Sequence, residues 1–234
     1  MFFFLAALLV ASAAGFQGPA QRVRHVSPEL NGLFDKLKNP FDSRPGATVG
    51  LVQVALNDEK AQTSKFIAET ARSLNANSAR GLARFVEQIC TGLSRRDDDW
   101  AYATASAKYF KGSQAEKSDH ERYYNRLVNV EASKFEKEYL PSAADLAKAK
   151  DERSSGFCVV SLVVALEGDL TTIFDGAASS ITNLRVALGD ISAAASVDDG
   201  YALYNAEVLW TPSSPDETLL RDEMLLDFPE LLAL

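Results

Sequence analysis

The chain is short of the residues on which most enzyme chemistry depends. It has two cysteines and two histidines among 234 residues. Cys90 and Cys158 are too few for a disulfide framework. His25 falls in a segment that reads as targeting. His120 stands among Asp119, Glu121 and Arg122, where a solvated surface position is expected. With so little histidine there is no Cys/His metal cluster and little basis for a Ser–His–acid arrangement, so neither a metal nor a cofactor is expected. Positive charge is also scarce: 24 Lys and Arg face 32 Asp and Glu, a formal charge of −8. That balance argues against general attraction to nucleic acid or anionic lipid. No glycine-rich nucleotide fingerprint follows any expected strand. Past the N-terminus no run of ~18 apolar residues occurs, so no transmembrane segment is expected in the mature chain, which should be soluble or peripheral.

What the chain does have is apolar mass. It is 47% hydrophobic, enough for a substantial core. Residues 1–15 begin with the apolar run Met1–Ala13 and continue into small residues, the pattern of a signal peptide. Residues 16–28 hold no acid but include Arg22, Arg24 and His25, like a transit segment. Together they resemble the bipartite presequence of plastids acquired by secondary endosymbiosis, with Phe16 after Ala13-Ala-Gly15 as the presumed new N-terminus. An ordinary secreted protein is the alternative, and its two cysteines would then be expected to pair. Removal up to Pro28 takes away two of the 24 basic residues and no acid, leaving a mature charge of −10.

Residues 29–46 place Leu30, Leu33, Phe34 and Leu37 at near-helical spacing and then turn to Pro40, Pro45 and Gly46: a short amphipathic segment and linker. The rest, 47–234, reads as one domain. Thr48 to Leu56 is a strand weakened by Gly50. Phe66, Ile67, Thr70, Ala71 and Leu74 mark a helix, broken at Asn75 to Ser78, where Asn77 or Ser78 can cap the next. Leu82, Phe85, Val86, Ile89, Cys90 and Leu93 form one continuous apolar stripe. Trp100 to Ala105 is a second strand. A polar helix over 113–139 is expected to face inward through Tyr123, Leu127, Val130 and either Lys134 or Phe135, and to stop at Pro141.

Gly156 to Leu166 is too uniformly apolar for a wet face and should be a central strand. An Ala/Ser-rich helix carrying Ile181, Leu184 and Leu188 is expected to close at Gly189. Tyr201 to Trp210 alternates as the last strand. Ser214-Pro-Asp-Glu217 is a capping box for a final short helix. The expected fold is α+β, a single domain with a sheet of about four strands, mostly antiparallel, packed with helices.

Ala206-Glu-Val-Leu-Trp-Thr-Pro212, then Asp216, Thr218-Leu219, Glu223 and Phe228-Pro229, is similar to the closing signature of the DUF1517 family of cyanobacterial and plastid proteins. Gly81 to Tyr102, Ser133-Lys-Phe135 with Glu138, and Phe157 to Leu166 agree with it, so the resemblance covers roughly residues 48–234. Arg96-Asp-Asp-Asp99 replaces the family's His-Pro-Asp-Tyr, and Leu140-Pro-Ser142 its Leu-Val-Asn. Plant members are plastid membrane-associated proteins linked to photosynthetic acclimation in changing light, with a transmembrane segment ahead of the domain that this chain does not show. The resemblance implies a plastid protein, stromal or peripheral to the thylakoid, that is not an enzyme and acts through an unidentified protein partner. The alternative is a small-molecule-binding domain or an uncharacterised enzyme with a pocket between helices and sheet.

Few residues stand out as a site. The acidic stretches Asp97–Asp99, Asp198-Asp199 and Asp216-Glu217 lack calcium-loop spacing and read as turns and helix starts. Cys90 and Cys158 read as small core residues, with a redox pair as the sharper alternative. Trp100 and Trp210 are either core edges or the walls of a shared groove. Trp100, Glu207, Trp210, Thr211, Pro212 and Asp216 are therefore the candidate surface for a partner or ligand.

Overall fold

The computed structural model describes residues 46–58, 62–73, 78–112, 114–134, 156–212 and 218–234. The expected presequence, the amphipathic segment up to Pro45, the stop at Pro141 and residues 213–217 with Asp216 lie outside these residues, but the final helix begins only at Arg221, with the Leu220 N–H donating to Glu223 at 3.0 Å, so Ser214 is not its cap. The described chain runs β1 (Ala47–Asn57), α1 (Gln62–Ser73), α2 (Ala79–Ser94), β2 (Trp100–Phe110), α3 (Gln114–Lys134), β3 (Phe157–Glu167), α4 (Thr171–Phe174), α5 (Ile181–Ala195), β4 (Leu203–Thr211), α6 (Arg221–Asp227) and β5 (Leu232–Ala233). The class is α+β. The sheet has five strands rather than four, in the order β4-β3-β1-β2-β5, and every pairing is antiparallel. The fifth strand is two residues long and pairs with Tyr102 and Ala103, too short to leave an alternation pattern.

β1 and β3 are buried along almost their whole length because helices cover both faces of the sheet. The period-2 geometry of a strand splits each of them. Val52, Val54 and Leu56 join Val160, Leu162, Val164 and Leu166 on the first face, under α1, α2, α4 and α5. Val49, Leu51 and Gln53 join Val159, Ser161 and Val163 on the second face, under α3 and α6. The apolar stripe of α2 is buried from Leu82 to Leu93. Ser78 is its N-cap, its hydroxyl accepting from the Gly81 N–H at 3.0 Å. Gly50, read as a weakness in β1, is required: a Cβ there would lie 2.1 Å from the Phe174 ring, which α4 lays across the strand.

Other boundaries moved. β2 reaches Phe110, since small Ala and Ser residues pair with β1 through backbone alone. α5 continues past Gly189 to Ala195, because Leu184, Leu188, Ile191 and Ala195 keep one buried face and Gly189 sits on the open side. Ile181, at the first turn of α5, is 37% exposed rather than inward.

α3 is rotated from the expected phase. Among its described side chains the buried ones are His120, Tyr124, Val128 and Glu131, whereas Val130 is half exposed and Tyr123 and Leu127 only partly buried. His120 is therefore inside rather than solvated, its ring tilted against Tyr204 with centroids 5.9 Å apart. A search for apolar spacing misses this stripe because two of its four described members, His120 and Glu131, are polar.

Candidate functional site

The five described candidate surface residues do not converge. Trp100 and Trp210 lie in the first-face core, 5% and 2% exposed, with β1 and β3 between their strands. Both indole N–H groups lack an acceptor among the described residues. Glu207 pairs across to Val163 and Thr211 to Val159, so both belong to the second face, and both are buried. Pro212 follows a cis peptide bond, and its carbonyl accepts from the Ser64 hydroxyl at 2.8 Å. The sequence locates these residues correctly in strand and turn, and the structure distributes them over two faces.

Cys90 and Cys158 are free thiols buried in the same core. Burial pushes both up to about 12, with Asp58 also raising Cys158. A thiol so protonated is a poor nucleophile and a poor metal ligand.

Arg96, which stands at the family's histidine position, is a brace. It reaches Asp58 at 3.2 Å, Asp99 at 3.0 Å and the Thr63 hydroxyl. Asp58 in turn accepts from the Gln62 and Thr63 N–H groups, capping α1. Asp97 pairs with Arg185 of α5. The Asp97–Asp99 turn is thus tied into the fold rather than solvated alone, and no metal-holding group of His, Cys, Asp or Glu occurs among the described residues.

The most developed polar arrangement is one that apolar patterning does not reveal. On the second face, Gln53 of β1 and Ser161 of β3 sit directly opposite one another, both fully buried. The Gln53 amide donates to Ser161 Oγ at 2.9 Å and to Glu131 Oε2 at 2.6 Å. Glu131, only 2% exposed, projects from α3 onto this pair. Its other oxygen accepts from Lys134 Nζ at 3.0 Å, and Lys134 bridges onward to Glu230, past α6. The ammonium also lies 5.0 Å from the centroid of the Phe228 ring. Burial raises the Glu131 pKa above the ordinary carboxylate range, partly offset by Lys134 and Ser161, with Glu230 pushing further upward.

Beside this cluster a groove of about 590 Å³ opens between the end of α3 and the α6 region. Leu51 and Pro229 contribute apolar lining, Glu131, Asp227 and Glu230 carboxylates, and Lys134 the one ammonium among its lining residues. The only sequence signal for it was the inclusion of Lys134 among the inward residues of α3. A carboxylate and an ammonium in one open groove can hold an opposite charge; the groove by itself specifies no reaction.

The family model for a protein of unknown function (DUF1517) matches residues 46–234. The chain is similar to Protein FLAP1 homolog A of Synechocystis sp. (strain ATCC 27184 / PCC 6803 / Kazusa), 24% identical over 203 residues. That match covers 81% of this chain and 57% of the relative, so the chain spans little more than half the relative's length. No solved structure matches it.

Proposed function

The chain belongs to the DUF1517 family, and on that premise we propose that it is a non-enzymatic plastid accessory protein that serves photosynthetic acclimation to changing light through contacts with a protein partner. The observation that carries this reading is the likeness over 81% of the chain to a cyanobacterial protein named as a FLAP1 homolog. The acidic surface supports it, because like charge keeps the protein off anionic lipid and nucleic acid and favours partners of opposite sign. In this reading the protein works in the stroma or at the periphery of the thylakoid. No helix among the described residues is long and apolar enough to cross a membrane.

A pull-down with the full chain from plastid extract tests the partner. A stable, salt-sensitive partner is expected; none, together with a clear metabolite-induced thermal shift, would reverse the reading. A fluorescent fusion of residues 1–40 tests the compartment, since reporter outside the plastid would remove it. The groove beside Glu131 favours one second reading, a small-molecule-binding domain between helices and sheet, and the same thermal-shift screen decides it.

A further inference from the structure

We propose that the outer edge of β2, from Thr104 to Phe110, is a docking site for an extended acidic segment of a partner protein, which adds to the sheet as a further strand and sets a carboxylate against Lys108 and Arg126. The proposal rests on the partner-binding reading above and says where and by what chemistry that partner is held.

Two independent observations carry it. The first is an open row of backbone groups. Along one side β2 pairs with β1 from Trp100 to Phe110. Along the other, β5 pairs only with Tyr102 and Ala103, and the Leu234 N–H donates to the Ala101 carbonyl at 3.1 Å. From Thr104 onward no backbone group of the described residues meets that side. Alternate residues of a strand send both N–H and C=O to a given side, so the edge carries donors and acceptors at strand spacing. Every residue from Thr104 to Phe110 is partly or fully exposed, whereas the opposite edge strand, β4, is buried from Ala206 to Thr211. β5 shows that this edge accepts a strand, and it stops beside Ala103, where the open stretch begins.

The second is a local positive charge in a chain of formal charge −8. Lys108 Nζ lies 5.1 Å from the centroid of the Phe110 ring and 5.5 Å from that of Tyr123. The Arg126 guanidinium lies 5.5 Å from the same Tyr123 ring. Both cations are exposed, and neither has a carboxylate partner among the described residues. Aromatic faces therefore hold them in place without neutralising them. Lys108 pairs with Val49, which puts it on the second face, the side that α3 covers with Arg126. A residue of an added strand directly opposite Lys108 would have its Cβ about 4.5–5.5 Å away, so an acid there finds a partner and a base meets two cations.

The same lysine decides against a second copy as the occupant. Lysine on an open edge opposes self-pairing, because an antiparallel copy would bring its own Lys108 up to the first. An acidic strand is the occupant that it attracts. The net negative charge of the molecule opposes approach from afar, but at physiological salt the Debye length is about 8 Å, and at contact the two local cations decide.

The test uses the full chain and a fluorescein-labelled eight-residue peptide of alternating glutamate and valine, followed by anisotropy at physiological salt. One twin carries lysine in place of glutamate, and another is N-methylated at alternate residues, which removes backbone donors and leaves the charge. Saturable binding of the glutamate peptide and of neither twin is expected. Lys108→Glu and Arg126→Glu should each weaken it at least about fivefold, since reversal replaces an attraction with a repulsion. Arg84→Glu makes the same change of charge at an exposed position on α2, across the sheet, and should leave binding unchanged. Equal weakening by Arg84→Glu would mean a response to net charge alone and would overturn the site. Full binding of the N-methylated twin to the wild-type chain would overturn strand addition, whatever the variants do. A dimer of the chain alone that the glutamate peptide dissociates would give the edge to a second copy instead. A plastid partner held equally by wild type and Lys108→Glu would sink the edge and leave the accessory reading standing.

Discussion

Glu131 occupies a place that apolar spacing assigns to a hydrophobe, and its surroundings determine how it responds to pH. Burial raises its pKa in the folded state above its value in the unfolded chain. At pH values between the two, the folded protein holds a proton that the unfolded chain has released. This carboxyl's contribution to stability is therefore complete below the unfolded value and is lost as pH rises through the folded one. Glu131→Gln keeps the side-chain shape and removes the titration. Urea midpoints measured in steps from pH 4 to 8 should fall for wild type relative to the variant as pH rises above the ordinary carboxylate range. Parallel profiles for the two proteins would show that Glu131 titrates normally.

At the scale of elements, the joints between strands and helices carry two predictions. Gly50 lets the Phe174 ring lie on β1, so Gly50→Ala should destabilise the fold by about 1–3 kcal/mol, the usual cost of overpacking. Phe174→Leu in the same chain should recover part of that loss, and chemical denaturation of the single and double variants measures it. Asp58 joins the end of β1 to the start of α1 and to Arg96 beyond α2. Asp58→Ala removes a helix cap and leaves a guanidinium with fewer partners, a cost of about 1–3 kcal/mol. Loss of thermal stability without loss of helix content in circular dichroism would be the signature.

Elements were also the scale at which the sequence was most readable. β1, β3 and the α2 stripe are legible because burial on both faces, or along one helical face, demands mostly apolar residues at fixed spacing, and single polar positions such as Gln53 and Ser161 do not hide the pattern. α3 was misphased by about one position because its inward stripe is half polar, and polar burial depends on partners such as Gln53 and Ser161 that lie far away along the chain. β5 is invisible for a different reason: two residues pairing at an edge need no side-chain pattern at all. The groove combines both difficulties, since a lysine and three acids normally signify a wet surface.

For the molecule as a whole, one core spans the first face from Val52 to Trp210, and both thiols lie within it. With each thiol pushed up to about 12, thiolate at pH 8 is scarce. An aromatic disulfide reagent should therefore find no reactive thiol in the folded chain and two after urea unfolding. Retention of two unreactive thiols under both reducing and oxidising conditions would end the idea of a redox pair, whereas rapid reaction of either in the native state would mean the core opens locally.

The centre of the sheet also has a history. β1 emerges from the ribosome ahead of the other strands, yet its partner β3 lies far behind it, Leu51 aligning with Val163. At ordinary rates of synthesis that separation is a delay on the order of ten seconds. Throughout it, a strand apolar on both sides has its β3 edge open, and a hairpin with β2 covers only the other. Newly made chains should consequently depend on chaperones during that interval, and the half-built sheet, rather than the finished one, is where aggregation would begin.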